Sequence, residues 1–482
     1  MPSLGLGLNL YKTQTAVYSG LKLDAQAVAH YDRVIADGGI IPAGLLGCNA
    51  WFVAVKAVYG VTDITTAISA GYDPHYLGTN NPAVKGIGTT AGQACSKLYS
   101  CSGASGDLTQ ATAASMPLLL VKNSSDANYA WFPKVVGNYI NSTTTYLTND
   151  IDIEFSVNVP ATQSGTQQVI GTNTTSPFSI LINRATETIF LEYESGGYKS
   201  CNAPFTPALT NVICVARNST TGAVTFIDNG VTLTTSGTQA AGALDATISS
   251  LCVGGYTGGY AFIGRVNYVN CYISGVLNKS FNPASYNAAT SQTQWTSTTG
   301  EVWTINKSNS TTGFCGQLVD KTRIYGDALN KGLYNASITI NQPDTIYTAF
   351  SVETTTASGF IYDGNSTRQL FASIGGNTNY FIGADPTTLI TSGQTKPNTL
   401  RTFSTIMNGA SSSYAFDSNS DTNISVGTAG FNGLSLIYSE PNGIGSPYTL
   451  KGALSTFIIS NSANSSLIKT AMNNYVKSSN NL

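Results

Sequence analysis

Three carboxylates alternate with isoleucine in the run Asp150-Ile-Asp152-Ile-Glu154. Residues two apart on a strand share a face, so this spacing puts all three acids on one side. Paired carboxylates on one surface could hydrolyse a glycosidic bond, and the retaining mechanism needs its two carboxyls ~5–5.5 Å apart. The first position holds an aspartate, one methylene shorter than glutamate, so the gap from Asp150 to Glu154 is expected to be too wide. The plainer reading, a sandwich strand entered from the Thr148-Asn-Asp turn, is the one adopted. The chain is therefore expected not to be an enzyme. Glycoside hydrolysis through Asp150, Asp152 and Glu154 stands as the alternative function.

Other residue types capable of chemistry are few. His30 and His75 are the only histidines, one in an expected helix and one in a loop after Asp73-Pro74. Neither has a serine or cysteine partner in a nucleophile motif, which argues against a triad. Eight cysteines occur, Cys48, Cys95, Cys101, Cys201, Cys214, Cys252, Cys271 and Cys315, none at C-x-x-C spacing. Cys95 and Cys101 have no histidine nearby, so no metal site is expected, and reduced thiols are the expected state. Asp228, Asp363 and Asp417 fall at expected loop edges, but no loop gathers several acids at calcium-ligand spacing. They are read as turn formers. Exposed aromatic rings could stack on the apolar face of a pyranose. The candidates are Trp131, Trp295, Trp303 and the tyrosines of Gly254-Gly-Tyr256-Thr-Gly-Gly-Tyr260. Packing is the expected role of Trp131 and Trp303. Tyr256 and Tyr260, flanked by glycine, are the candidate carbohydrate-binding residues. Their run lacks the Lys-Ser/Thr and helix of a phosphate loop.

Elements must position these residues, and the composition says of what kind. The chain has 482 residues, enough for two to three domains. Its charged fraction is only 10% while its hydrophobic fraction is 42%, so packed cores are expected beneath a surface of Ser, Thr, Asn and Gly. Tyrosine (26) and phenylalanine (18) add the palette of a β protein. A net charge of −2, with lysine and arginine scattered singly, offers no footprint for nucleic acid or for an anionic membrane. No apolar run approaches ~18 residues, and Met1–Leu10 lacks the features of a signal peptide. No cofactor is implied.

Asp24 caps an expected helix to about Ala36, with Val28, Tyr31 and Ile35 on its inward face. A second helix is expected from Ala43 to Tyr59, stopped by Gly60. Residues 61–130 read as loop-rich. Strands then recur every 8–12 residues from Ile151 to Ser274, with Asp228-Asn-Gly230 as a hairpin turn. A second run of strands spans Thr345 to Ile459, with Asn408-Gly409 as its hairpin. A closing helix runs from Asn464 or Ser465 to about Val476, with Leu467, Ala471 and Tyr475 inward. The expected division is a helical segment at 1–60, a first sandwich at 61–280, a connector at 281–336, and a second sandwich with its helix at 337–482.

Several segments resemble a known family. Lys97-Leu-Tyr99, Ser102-Gly103 and Asp107-Leu-Thr-Gln-Ala-Thr-Ala-Ala-Ser-Met-Pro117 resemble the lead-in to concanavalin A-like, laminin-G-like modules. Ser100-Cys101 replaces the Asp-Gln of that pattern, and Met116 replaces a Gln. Val136-Gly-Asn-Tyr-Ile140, the Asn218–Val231 hairpin and Lys451–Ser460 are similar to later parts of it. The acidic strand resembles the E-x-D-x-E strand of retaining β-glucanases of the same fold, with aspartate in place of the first glutamate. Tyr31-Asp-Arg-Val-Ile-Ala-Asp-Gly-Gly39 and Phe281-Asn-Pro-Ala-Ser-Tyr-Asn-Ala-Ala-Thr-Ser-Gln-Thr-Gln-Trp-Thr-Ser297 resemble segments of virion-associated proteins of tailed phages, especially of Bacteroidetes hosts.

The resemblance implies a mainly β fold of two concanavalin A-like jelly-roll sandwiches with a small N-terminal helical segment. It implies a structural component of a phage virion: a head or tail fibre, an appendage or a capsid decoration. Such a protein would assemble in the bacterial cytoplasm and bind host-surface glycan. Other virion proteins, held through residues 1–60, and further copies in a homo-oligomer are the expected partners.

Overall fold

The computed structural model describes residues 22–482 except 81–92, 113–114, 123–126, 134–138, 143–148, 160–164, 173–177, 209, 246–249, 256–259, 288–289, 292, 306–316, 327–330, 353–358, 365–368, 374–379, 385–389, 392–398, 418–419 and 439–448. The chain is mainly β. It forms two jelly-roll sandwiches, and a small helical layer lies against one of them.

The two sandwiches are nested. Strand Ile151–Asn158 is central to one sheet of the inner sandwich, paired on one side with Asn211–Arg217 and on the other with Ile263–Ile273. The facing sheet runs through Thr166–Gly171, Phe178–Asn183, Thr188–Glu194 and Tyr198–Pro204. Side chains alternate across each strand, so Ile151, Ile153 and Phe155 meet Ile180, Ile182, Leu191 and Tyr193 in one core. The outer sandwich is built from two separate stretches of chain. Ile68–Tyr72 pairs with Gly452–Ser460, and Leu118–Leu120 pairs with Arg323–Gly326. Its core joins Tyr72, Leu98 and Leu119 to Ile346, Phe371, Phe403 and Phe457.

These pairings overturn the expected division at residues 60, 280 and 336. Ile68–Tyr72, Lys97–Leu98, Leu108–Thr109 and Leu118–Leu120 are strands of the outer sandwich, in a stretch where loops were expected. Gln294–Thr296 and Val302–Thr304, placed in a connector, complete the inner one. The sandwich expected to come first is thus an insertion in the other. Where the chain leaves and returns, the Lys122 amide donates to Thr322 Oγ1 (2.8 Å), and that hydroxyl donates to the Lys122 carbonyl (2.9 Å). Ile68–Tyr72, Leu108–Thr109 and Leu118–Leu120 have partners more than 200 residues away, which local patterning does not encode. Tyr260–Val266 and Asn270–Ser274, expected as two strands, are one strand with two register shifts, Ile263–Ile273. Leu120, Tyr129, Trp131, Ile263, Val319 and Tyr325 fill the junction between the sandwiches.

Helix α1 (Ala25–Ala36) is capped by Asp24, whose carboxylate accepts from the amides of Gln26 and Ala27. Helix α2 (Gly44–Tyr59) ends at Gly60 in the left-handed conformation. Helix α3 (Ser466–Ser479) starts at Ser465. The three pack with Tyr347, Ala349 and Ile458 on the outer face of one sheet, so the helical segment belongs to the outer sandwich. Both amphipathic faces are rotated by about one residue from the expected ones. Ala27, His30 and Val34 are the buried side of α1, with Val28, Tyr31 and Ile35 half-buried. On α3 the buried residues are Lys469, Met472, Asn473 and Val476, and Leu467 is 80% exposed.

Two of the segments that carry the resemblance, Tyr31–Gly39 and the one that begins at Lys97, meet here. Arg33 of α1 pairs with Asp107 (2.7 Å). Lys97 bridges Asp107 (3.1 Å) and Asp37 (2.9 Å), and the Tyr99 hydroxyl donates to Asp37 (2.7 Å). Arg33 and Lys97 also approach the Tyr99 ring. The motif residues fasten the helical layer to the first strands of the outer sandwich.

Candidate functional site

On the hairpin Thr188–Glu194 / Tyr198–Pro204, Leu191 pairs with Cys201 and Ile189 with Ala203 facing the core. Register then places Phe190 opposite Asn202, Glu192 opposite Ser200 and Glu194 opposite Tyr198 on the outer face. The turn needs Gly196 and Gly197, both at positive φ, and their amides donate to Asp245 at 2.7 and 3.1 Å. Tyr198 leaves this braced turn 62% exposed. Burial, followed by the neighbouring Glu192 carboxylate, pushes its pKa up to about 12. It therefore stays a neutral donor through the physiological range.

Tyr260, 42% exposed, stands close enough to Tyr198 to contribute to that rise. Its own loop is pinned to strand Thr166–Gly171. The Gln168 amide N–H donates to the Tyr260 carbonyl (2.8 Å), and the Gln168 side chain donates to the Gly255 carbonyl (3.3 Å). Gly254, at positive φ, lies so close to Phe132 that a Cβ there would sit 2.0 Å from the ring. Tyr256, the other expected sugar-binding residue, lies outside the described residues. Tyr198 was not singled out from sequence. The signal was present: Gly-Gly-Tyr occurs at 196–198, 254–256 and 258–260.

The acidic run does not act as one unit. Strand Ile151–Asn158 begins after Asp150, and the Asp150 carboxylate accepts from the Ser219 amide (2.6 Å), a bond that lowers its pKa. This corrects the expectation of three acids in a row, because Asp150 braces a neighbouring loop. Asp152 and Glu154 remain on the outer face. Cys214 Sγ donates to Glu154 (3.7 Å), and burial, then the Glu154 carboxylate, raises the Tyr268 pKa. Burial, then Glu154, raises the Asp152 pKa.

The other candidates are distributed through the fold. Asp228 is buried and accepts from Asn211 Nδ2 (2.9 Å) and the Thr206 amide (3.3 Å). Asp417 accepts from the Thr402 amide (2.8 Å) and pairs with Arg401 (2.7 Å). Asp363 is buried at the end of strand Gly359–Asp363. The structure does not bring these three together. Trp303 is buried, its Nε1 donates to the Ser280 carbonyl (2.9 Å), and it stacks on Trp295 with Phe281 against both. Trp131 is buried at the junction of the sandwiches. None of the three tryptophans offers an open ring. His30 is buried, with Nε2 donating to the Leu77 carbonyl (2.7 Å), and His75 sits edge-on to Tyr76. The seven described cysteines are free thiols, and burial pushes Cys95 up to about 12. Cys315 lies outside the described residues.

Comparison with known proteins yields structural similarity only. No family model and no curated protein matches the sequence. Mouse laminin α1 chain domains LG4-5 align over 70% of this chain and 90% of theirs, with TM-score 0.30 and 9% identity. A SAP-like pentraxin of Limulus polyphemus aligns over 30% of this chain and 75% of its own, with TM-score 0.26 and 12% identity. The IT-sialidase CBM40 of Ruminococcus gnavus, bound to α2,3-sialyllactose, covers 26% of this chain and 76% of its own, with TM-score 0.23 and 15% identity.

Proposed function

We propose that the protein is a glycan-binding adhesin carried on a bacteriophage particle, and that the inner sandwich is the part that meets the glycan. The observation that carries this reading is the pair of exposed tyrosines, Tyr198 and Tyr260, set beside Glu192 on braced backbone. Rings with little freedom to lose are good binding anchors, and a neighbouring carboxylate can accept sugar hydroxyls. The virion setting is supported by the resemblance of the Tyr31–Gly39 and Phe281–Ser297 segments, and by the polar, weakly charged surface suited to a particle exterior. Exposed Leu46 and Val53 on α2 would provide the attachment to other virion proteins within residues 1–60.

Two measurements test it. In a glycan array with host-surface oligosaccharides, Tyr198→Ala and Tyr260→Ala should each weaken binding by about tenfold or more, with unchanged thermal melting. Equal binding by wild type and both variants would remove the tyrosines from the site. Mass spectrometry of purified particles should find the chain in many copies. Its absence from particles would end the virion part of the proposal.

A further inference from the structure

The outer face around Tyr198 has a charge character that restricts what can lie on it. Glu192 and Glu194 occupy neighbouring outward positions on one strand, and Tyr198 and Ser200 stand opposite them on the next. The ion pairs among the described residues include none to Glu192. The neighbouring Tyr198 hydroxyl can take only part of its accepting capacity, since an ionised carboxylate has about four acceptor sites. Ser200 adds a hydroxyl beside it, while Asn202 is engaged by Ser236 (2.7 Å). The face therefore offers two aromatic surfaces and an acceptor-rich edge carrying negative charge.

We infer that this face selects uncharged, hydroxyl-rich glycans and rejects those bearing carboxylates, with Glu192 as the discriminating residue. The inference rests on the glycan-binding reading above. A sugar laid on the tyrosines brings its equatorial hydroxyls to the edge, where Glu192 accepts from them. A sialic or uronic acid in the same position brings a second carboxylate against the first, and among the described residues no ion pair neutralises Glu192. Repulsion at such an exposed face is screened by salt, whereas hydroxyl recognition is not.

The test is titration calorimetry of the full chain with neutral oligosaccharides and with the same backbones carrying sialic or uronic acid. Wild type should bind the acidic series at least about tenfold more weakly at low salt. The gap should shrink in ~1 M NaCl, where the screening length falls to about 3 Å. Glu192→Gln, which keeps an acceptor and removes the charge, should narrow it further. Acidic glycans binding wild type as tightly as neutral ones, with loss on Tyr198→Ala, would overturn the selectivity and leave the binding site standing. The same holds for a gap unchanged in Glu192→Gln. Binding of neither series would overturn the glycan reading and this inference together.

Discussion

Asp73→Ala is expected to lower the stability of the outer sandwich by about 3–5 kcal/mol, the usual cost of stranding one half of a buried ion pair. Asp73 and Lys321 are both buried and lie 2.9 Å apart. The Asp73 carboxylate accepts from the amides of His75 (3.0 Å) and Tyr76 (3.2 Å), from Lys321 and from Thr456 Oγ1 (2.8 Å). Lys321 also donates to the Ser479 carbonyl (3.1 Å) and lies over the Tyr76 ring. One carboxylate thus joins the first strands of the chain, the return from the inserted sandwich, the last strand and α3. Removing it leaves the Lys321 ammonium in a site where burial already lowers its pKa. The double variant Asp73→Asn/Lys321→Met should recover much of the loss, because both charges are then gone. Urea titration followed by tryptophan fluorescence and far-UV circular dichroism measures both. A loss below about 1 kcal/mol in Asp73→Ala would mean that the pair is not what closes the discontinuous sandwich.

That pair shows why the fold was only partly legible. Asp73 and Lys321 are 248 positions apart, and neither carries a local signal of the other. What local chemistry dictates was readable: the Asp24 cap, the Gly60 stop, the Asn229-Gly230 turn at positive φ, and most strands after residue 150. Nesting was not readable, because strands of three to five residues such as Ile68–Tyr72 and Leu118–Leu120 are joined to partners more than 200 residues away. The helix faces were misjudged for one reason. Counting apolar residues passed over His30 on α1 and over Lys469 and Asn473 on α3, which are buried through their polar partners. His30 bonds the Leu77 carbonyl, and Lys469 is held by Asp421. At the candidate site, the glycine-flanked run placed Tyr260 among the candidate sugar-binding residues. Tyr198 escaped because its strand reads as an ordinary edge, and only the register with Glu192 and Glu194 gives it neighbours.

Asp344→Asn is expected to make the protein more stable at pH 8 and leave it unchanged at pH 4. Asp344 is fully buried at the start of strand Asp344–Phe350. One oxygen accepts from Gln369 Nε2, and the other has no hydrogen-bond partner among the described residues. Burial first drives its pKa from 3.8 to about 7, against the opposing pull of the Gln369 bond. A carboxyl raised on folding is proton-rich in the native state. Its contribution is whole below the unfolded value and is lost as pH rises through the folded one. The interval corresponds to about 4 kcal/mol, an upper bound on the gain from an always-neutral asparagine. Two buried histidines act in the opposite sense. Burial takes both His30 and His75 from 6.5 down to about 4, so their contribution is present above 6.5 and lost as pH falls through 4. Protonation would set a cation against Arg33 in one case and near Lys321 in the other. Wild type should therefore be most stable near pH 6.5, falling on both sides. In Asp344→Asn the alkaline side should flatten while the acid side keeps its histidine-driven fall. Melting temperatures from pH 4 to 8 in one buffer series decide it. A constant difference between variant and wild type across that range would show that Asp344 is ionised throughout, and that its burial is compensated by something other than a proton.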